Sequence, residues 1–283
     1  MEFTRRRFTQ LTLAASAAPL LDARIKPDFK GVRLGVQSYS FRDRSLDEAI
    51  AGMKEAGLGI VELYQGHIEP KDAKRDALRT WRATVDLKEF TAVRKKFDAA
   101  GIELYAYNYS FRDDFSDAEF DRGFQFAKAL GVKALTASAN VTTAKKISPF
   151  AEKHKIKVGM HNHSNLRPNE FARPEDFEEA MKGTSDYISI NLDIGHFTAA
   201  NFDAVDYLSK HHERIVTLHI KDRKKSQGAN VPFGEGDTPI KAVLKFLQEK
   251  KLRIPANIEY EYKGADTLAE VKKCLAYMKN CLA

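Results

Sequence analysis

The chain predicts an α/β protein built as a single (β/α)8 TIM barrel, on three observations. Strand-like and helix-like segments alternate without interruption, eight of each, so every helix supplies the crossover between parallel neighbours. The 283 residues suit one barrel of about 250 residues, and no Pro-, Gly- or Ser-rich linker divides them. Four apolar runs in the second half each end on a metal-binding side chain, at His161, Asp193, His219 and Glu259. A doubly wound open sheet is the competing arrangement for this alternation.

Period-two and short apolar runs predict strands over Val32–Tyr39, Gly59–Tyr64, Ile102–Tyr107, Ala134–Ala137, Lys157–His163, Tyr187–Asp193, Arg214–Ile220 and Ala256–Tyr262. Amphipathic spacing predicts helices over Leu46–Ala56, Leu87–Ala100, Asp117–Leu130, Thr143–His154, Pro174–Met181, Phe202–His211, Pro239–Glu249 and Leu268–Lys279. Ser45 with Glu48 forms a capping box, and Pro174-Glu175-Asp176 is a strong helix start. Gly57, Gly101 and Gly131 each follow a helix and precede a strand, where a left-handed terminator is expected. Two long connections, Gln65–Asp86 with Trp81 and the Gly-bearing Asp222–Thr238, are candidate covers for the barrel mouth.

Residues 1–23 read as a leader, and residues 24–283 as the barrel. Arg5-Arg6, then Phe8, then the mildly apolar Leu11–Leu21 resemble a twin-arginine export signal, with Ala15-Ser16-Ala17 as a small-residue cleavage site. The apolar run is too short for a permanent membrane anchor. The expected location is therefore periplasmic or otherwise outside the cytoplasm. Formal charge is +7; the leader carries three arginines against Glu2 and Asp22, so +6 remains without it, scattered over Lys-rich helices. Cys274 and Cys281 lie seven residues apart on one predicted helix, roughly 10.5 Å between α-carbons and too far for a disulfide.

A barrel of this kind places its chemistry at the C-terminal ends of the strands. Alternation then points His161 with His163, and Glu259 with Glu261. Imidazole nitrogens mixed with carboxylate oxygens suit Mn, Co, Fe or Zn. The aromatic run Tyr105, Tyr107, Tyr109, Phe111 reads as core or wall packing, and Gly234-Glu235-Gly236 lacks the Lys-Ser/Thr of a nucleotide-binding loop.

Five motifs carry a family resemblance: Gly35-Val36-Gln37-Ser38-Tyr39, Val61-Glu62-Leu63, Asn191-Leu192-Asp193-Ile194-Gly195-His196, His219-Ile220-Lys221-Asp222 and Ile258-Glu259-Tyr260-Glu261. Together they make the chain resemble the sugar phosphate isomerase/epimerase superfamily with the xylose-isomerase-like barrel, over nearly everything after the leader. The resemblance implies one divalent metal, manganese or cobalt first, with zinc, iron or magnesium as further options. The implied ligands are His161, Asp193, His219 and Glu259. It implies catalytic roles for Glu259, His163 and His196, and substrate contacts from Lys221, Arg223, Glu62, His67 and Glu261. The implied partner is a small sugar or keto-sugar, with no nucleic acid, no stable membrane anchor and room for a homo-oligomer.

One departure bears on the reaction. The family's strand-five ligand is usually a glutamate, and His161 stands there. A coordinated imidazole nitrogen has no lone pair for a proton, so epimerisation between two metal-bound carboxylates is harder to support than removal of a proton by a single base. The expected activity is isomerase/epimerase-like proton abstraction beside a carbonyl, with a keto-sugar or keto-inositol dehydratase or lyase as the alternative. An endonuclease IV-like phosphodiesterase needs a multi-metal cluster, and Tyr105–Phe111 supplies no ligands for one.

Overall fold

The computed structural model describes residues 24–283; the leader expected over residues 1–23 lies outside the described residues. Eight parallel strands close a barrel: β1 (Val32–Gln37), β2 (Ile60–Tyr64), β3 (Glu103–Asn108), β4 (Ala134–Ala137), β5 (Lys157–His161), β6 (Ile188–Asp193), β7 (Ile215–Ile220) and β8 (Ala256–Ile258). Closure comes from β1 on β8, with Leu34, Gly35 and Val36 opposite Ala256, Asn257 and Ile258. Gly35 is needed at this seam, because a Cβ there would lie 2.3 Å from Asn257 Oδ1 and 2.7 Å from Ile60 Cγ2. A two-residue antiparallel strand, Asp28–Phe29, pairs with the start of β1.

The helices are α1 (Leu46–Ala56), α2 (Arg75–Thr84), α3 (Leu87–Ala99), α4 (Asp117–Leu130), α5 (Val141–His154), α6 (Pro174–Met181), α7 (Ile194–Ala199), α8 (Ala204–His211), α9 (Ile240–Glu249) and α10 (Thr267–Leu282). Capping boxes open two of them, Ser45 with Glu48 and Ser116 with Glu119. Gly57 and Gly131 close α1 and α4 in the left-handed region. The strand-three aromatics fill the layer between barrel and helices: Phe90 of α3 stacks on Phe126 of α4 at 4.1 Å, with Tyr107 edge-on to Phe90. That is the packing role expected for Tyr107, Tyr109 and Phe111, all fully buried.

Several boundaries differ from the sequence reading. The Gln65–Asp86 connection contains α2, and α7 follows directly on Asp193, the last residue of β6. Strand β8 stops at Ile258 rather than Tyr262 because Ser40 intercepts its ladder. Its hydroxyl donates to Ile258 O at 3.1 Å and accepts from Tyr260 N–H at 2.9 Å. Strand β5 stops at His161, where the Asn162 side chain turns across to β6 and bonds both N–H and C=O of Asp193. The Asp222–Thr238 connection is fastened rather than free: the Asp222 carboxylate accepts from the N–H groups of Gly234, Gly236 and Thr238.

Candidate metal centre and active-site mouth

The lumen is polar well below its mouth, and this is what aims the upper side chains. Glu62, fully buried on β2, accepts from Gln37 Nε2 and Thr136 Oγ1, each at 2.6 Å. His219 Nε2 lies 3.0 Å from the same carboxylate. With Nε2–H donating to Glu62, Nδ1 of His219 faces the mouth, 3.1 Å from Glu259 Oε2, and is the nitrogen left for an ion once its proton is lost. Ser138 Oγ lies 3.3 Å from His161 Nδ1 and leaves that ring's Nε2 facing inward in the same way. Asp193 divides its carboxylate: Oδ1 accepts from His196 N–H at 2.7 Å, capping α7, while Oδ2 has no hydrogen-bond partner.

His161, Asp193, His219 and Glu259 thereby present one ligand atom each, all within 4.8 Å of one another and all buried. His161 Nε2, Asp193 Oδ2, His219 Nδ1 and Glu259 Oε2 each lack a hydrogen-bond partner. Leaving a buried polar atom unpaired costs about 1–3 kcal/mol, and four converging on one point is the arrangement a cation satisfies. Two nitrogens and two oxygens suit a divalent transition metal. The cluster fits the ion the sequence implied.

Charge in the cluster is tightly interlocked. Lys221 Nζ sits 3.1 Å from Asp193 Oδ2, 2.9 Å from Glu259 Oε2 and 2.5 Å from Glu261 Oε2. The first two are ion contacts without hydrogen-bonding alignment, which is why both oxygens remain unpaired. Burial pulls the Lys221 ammonium down, but Asp193, Glu259 and Glu261 outweigh it and hold the group above its ordinary value. Burial pushes Asp193 and Glu259 up, and Lys221 with the neighbouring imidazoles overrides it, so both stay ionised well below the usual carboxylate range. For His219, burial is outweighed by Glu62 and Glu259, which raise it well above an ordinary histidine.

The remaining sequence candidates separate into two groups. His163 lines the mouth, its ring 4.8 Å from that of His161, and burial together with His161 and Lys221 pushes it down to about 4, so it is neutral near pH 7. Glu261 and Lys221 line the same cavity. His196 lines it too, with Arg223 Nη1 2.7 Å from its Nδ1 and Lys221 Nζ 3.0 Å from its Nε2; both neighbours are donors, so the neutral ring accepts from one of them. The other three are not on the wall. Glu62 is enclosed beneath His219, which makes it an orienting group rather than a substrate contact. His67 faces Ser38 O at 3.0 Å and stands edge-on behind Tyr64. Arg223 binds Gly228 O through Nε and Nη2 and Ser164 Oγ through Nη1, tying its own loop to the one after β5. Lys221 and Asp222, adjacent in sequence, form no pair: one serves the cluster and the other the loop.

The cavity, about 370 Å³, is completed by residues that the sequence reading did not select, among them Tyr39, Tyr64, Asn108, Ser110 and Ser138. Their signal was positional. Each sits at or just past the end of β1 to β4, the mirror of the ligand positions on β5 to β8.

Comparison with known proteins gives one family match: the model of the xylose isomerase-like TIM barrel covers residues 50–281. An inosose dehydratase of Mesomycoplasma hyopneumoniae (strain J) is 25% identical over 287 aligned positions, spanning 85% of this chain and 90% of that protein. Among solved structures, L-ribulose 3-epimerase superposes with a TM-score of 0.67 at 15% identity, over 89% of this chain and 94% of its own. The IOLI protein with a bound zinc atom gives 0.67 at 16% identity, over 88% and 97%.

Proposed function

The chain belongs to the xylose isomerase-like TIM barrel family, and on that premise we propose that it is a metal-dependent enzyme that removes a proton beside a carbonyl of a sugar or keto-sugar, as an isomerase or epimerase. The observation that carries this reading is the convergence of four buried donor atoms without hydrogen-bond partners beside a cavity that also holds the neutral ring of His163. A divalent ion, manganese or cobalt first, held by His161, Asp193, His219 and Glu259 would polarise the carbonyl. Proton acceptors reach the cavity from Glu259 at the end of β8 and from the neutral ring of His163 beyond β5. Lys221, kept charged by Asp193, Glu259 and Glu261, supplies an N–H to the oxygen that gains charge. His196, held by Lys221 and Arg223, keeps that ammonium in place.

A second reading, elimination by a dehydratase or lyase, is favoured by one feature. Both carboxylates that line the cavity, Glu259 and Glu261, come from β8, and the β5 side offers only imidazoles. A base on one face suffices to remove a proton and expel a substituent, and the inosose dehydratase relative supports this outcome. Purified protein assayed for metal, then incubated with simple ketoses and 3-keto-glucosides in D2O, tests both. One ion per chain with metal-dependent deuterium uptake is expected; loss of a substituent in place of label retention marks the lyase. No exchange and no turnover over the whole panel by the metal-loaded protein would sink the proposal.

We place the reaction outside the cytoplasm, on the twin-arginine-type leader of residues 1–23. Fractionation checks it: changing Arg5 and Arg6 together to lysine should leave the protein in the cytoplasm.

A further inference from the structure

The cavity over the metal centre opens sideways into a second chamber of about 350 Å³, and Gln65, Ser110 and Arg112 line both. The far wall comes from α2 and the loop after β3, with Leu78 and Phe115 as its apolar surface. Four arginines face this chamber, and their neutralisation is uneven. Arg75 pairs with Asp114, Arg79 with Glu119 at 2.5 Å, and Arg82 with Glu69 at 2.7 Å. Arg112 forms no ion pair among the described residues, so the chamber carries one uncompensated guanidinium at the point where the two cavities meet.

The neutral groups beside Arg112 point to the same kind of ligand. The Gln65 amide oxygen already accepts from Ser110 N–H at 2.9 Å, which leaves its NH2 as the free end. Gln65 Nε2, Ser110 Oγ and the Arg112 fork therefore offer donors and one positive charge, the complement of a carboxylate. Leu78 and Phe115 give the wall its apolar part, with the Arg79 and Arg82 guanidinium carbons each 5.9 Å from the Phe115 ring centroid. Donors at the junction and an apolar wall beyond it describe a site for a ring that carries an acid group.

We propose that the second chamber is a subsite for a carboxylate-bearing second unit of the substrate, a uronosyl residue or carboxylated aglycone joined to the reacting sugar. This rests on the proposed sugar chemistry at the metal centre and specifies its substrate class. The acid group is held at the junction by Arg112 and the reacting sugar at the metal centre, so the substrate is longer than one ring.

Calorimetry on purified, manganese-loaded protein tests the subsite without relying on turnover. The probes are a disaccharide with a glucuronosyl end, its neutral glucosyl counterpart and a hexose phosphate. The acid should bind roughly five- to tenfold more tightly than the neutral disaccharide, and the difference should shrink as salt is raised. Arg112→Gln changes an exposed side chain with no ion pair, so the fold is kept; it should bring the affinity for the acid down to that for the neutral disaccharide. Equal affinities, no measurable binding of either disaccharide, a preference that survives the substitution, or Arg112-dependent binding of the hexose phosphate alone would each overturn the subsite. Deuterium exchange into keto-sugars is scored separately. Exchange without acid preference removes the subsite and leaves the reaction standing; acid preference without exchange does the reverse.

Discussion

The two halves of the barrel mouth do different work with the same backbone. Strands β5 to β8 carry His161, Asp193, His219 and Glu259 at or beside their ends, and Lys221 ties the two carboxylates together. Strands β1 to β4 end on Gln37, Tyr64, Asn108 and Ser138, neutral groups that line the cavity opposite. One arc presents a donor set that an ion would fit, and the other lines the space before it. The arcs meet at Glu62, which belongs to a β1–β4 strand yet bonds His219, 157 residues away in sequence. A strand-end position is thus a place for chemistry, and its neighbours decide which kind.

The largest effect comes from breaking the ion-holding arc. Asp193→Asn keeps the cap of α7, since asparagine caps as well as aspartate, but removes the charge at Oδ2. Metal content should fall below one per chain and kcat/KM by more than about 100-fold, the upper end expected for an outer partner of a ligand. A variant that keeps one tightly held ion would show that the arc is not a metal centre.

A smaller and more diagnostic effect comes from Glu62→Gln, which tests whether the arcs are joined. All four ligands stay, yet metal affinity should drop about 10- to 100-fold because His219 loses its orienting carboxylate. The pH dependence adds a second readout. In the metal-free protein His219 stays protonated well above its ordinary range, so an incoming ion must displace that proton. Apparent affinity therefore falls as pH drops, by up to roughly tenfold per unit for one proton. Glu62→Gln removes one of the two carboxylates that raise His219, so this decline should begin at lower pH. An unchanged profile, read by metal titration from pH 8 downward, would separate the two arcs.

The smallest effect belongs to the neutral arc. Asn108→Ala should raise KM about two- to tenfold, the worth of one ordinary hydrogen bond, with metal content untouched. Loss of metal in this variant would erase the distinction between the arcs.

The legibility of the sequence follows the same division. His161, Asp193, His219 and Glu259 could be read because each ends an apolar run, and residue type at a strand end announces its chemistry. The neutral arc could not be read, since Asn108 or Ser138 at a strand end also suits an ordinary turn. Glu62 and Arg223 read as substrate contacts in the sequence because their actual partners, His219 and the Gly228 carbonyl, are set by folding. Helix α2 is hidden inside the long connection because its sequence is strongly polar, with Leu78 and Trp81, three residues apart on one face, as its large apolar residues. Helix α7 is hidden because its six residues follow Asp193 directly, and one carboxylate acts as both ligand and cap.

Lys221 gives the barrel a counter-ion of its own. With an ammonium already seated against Asp193 and Glu259, the negative charge at the mouth is balanced by the polypeptide itself. Closing the barrel and acquiring the ion are then separable events, and stripping the ion with a chelator should empty the site while the cylinder around it stays shut.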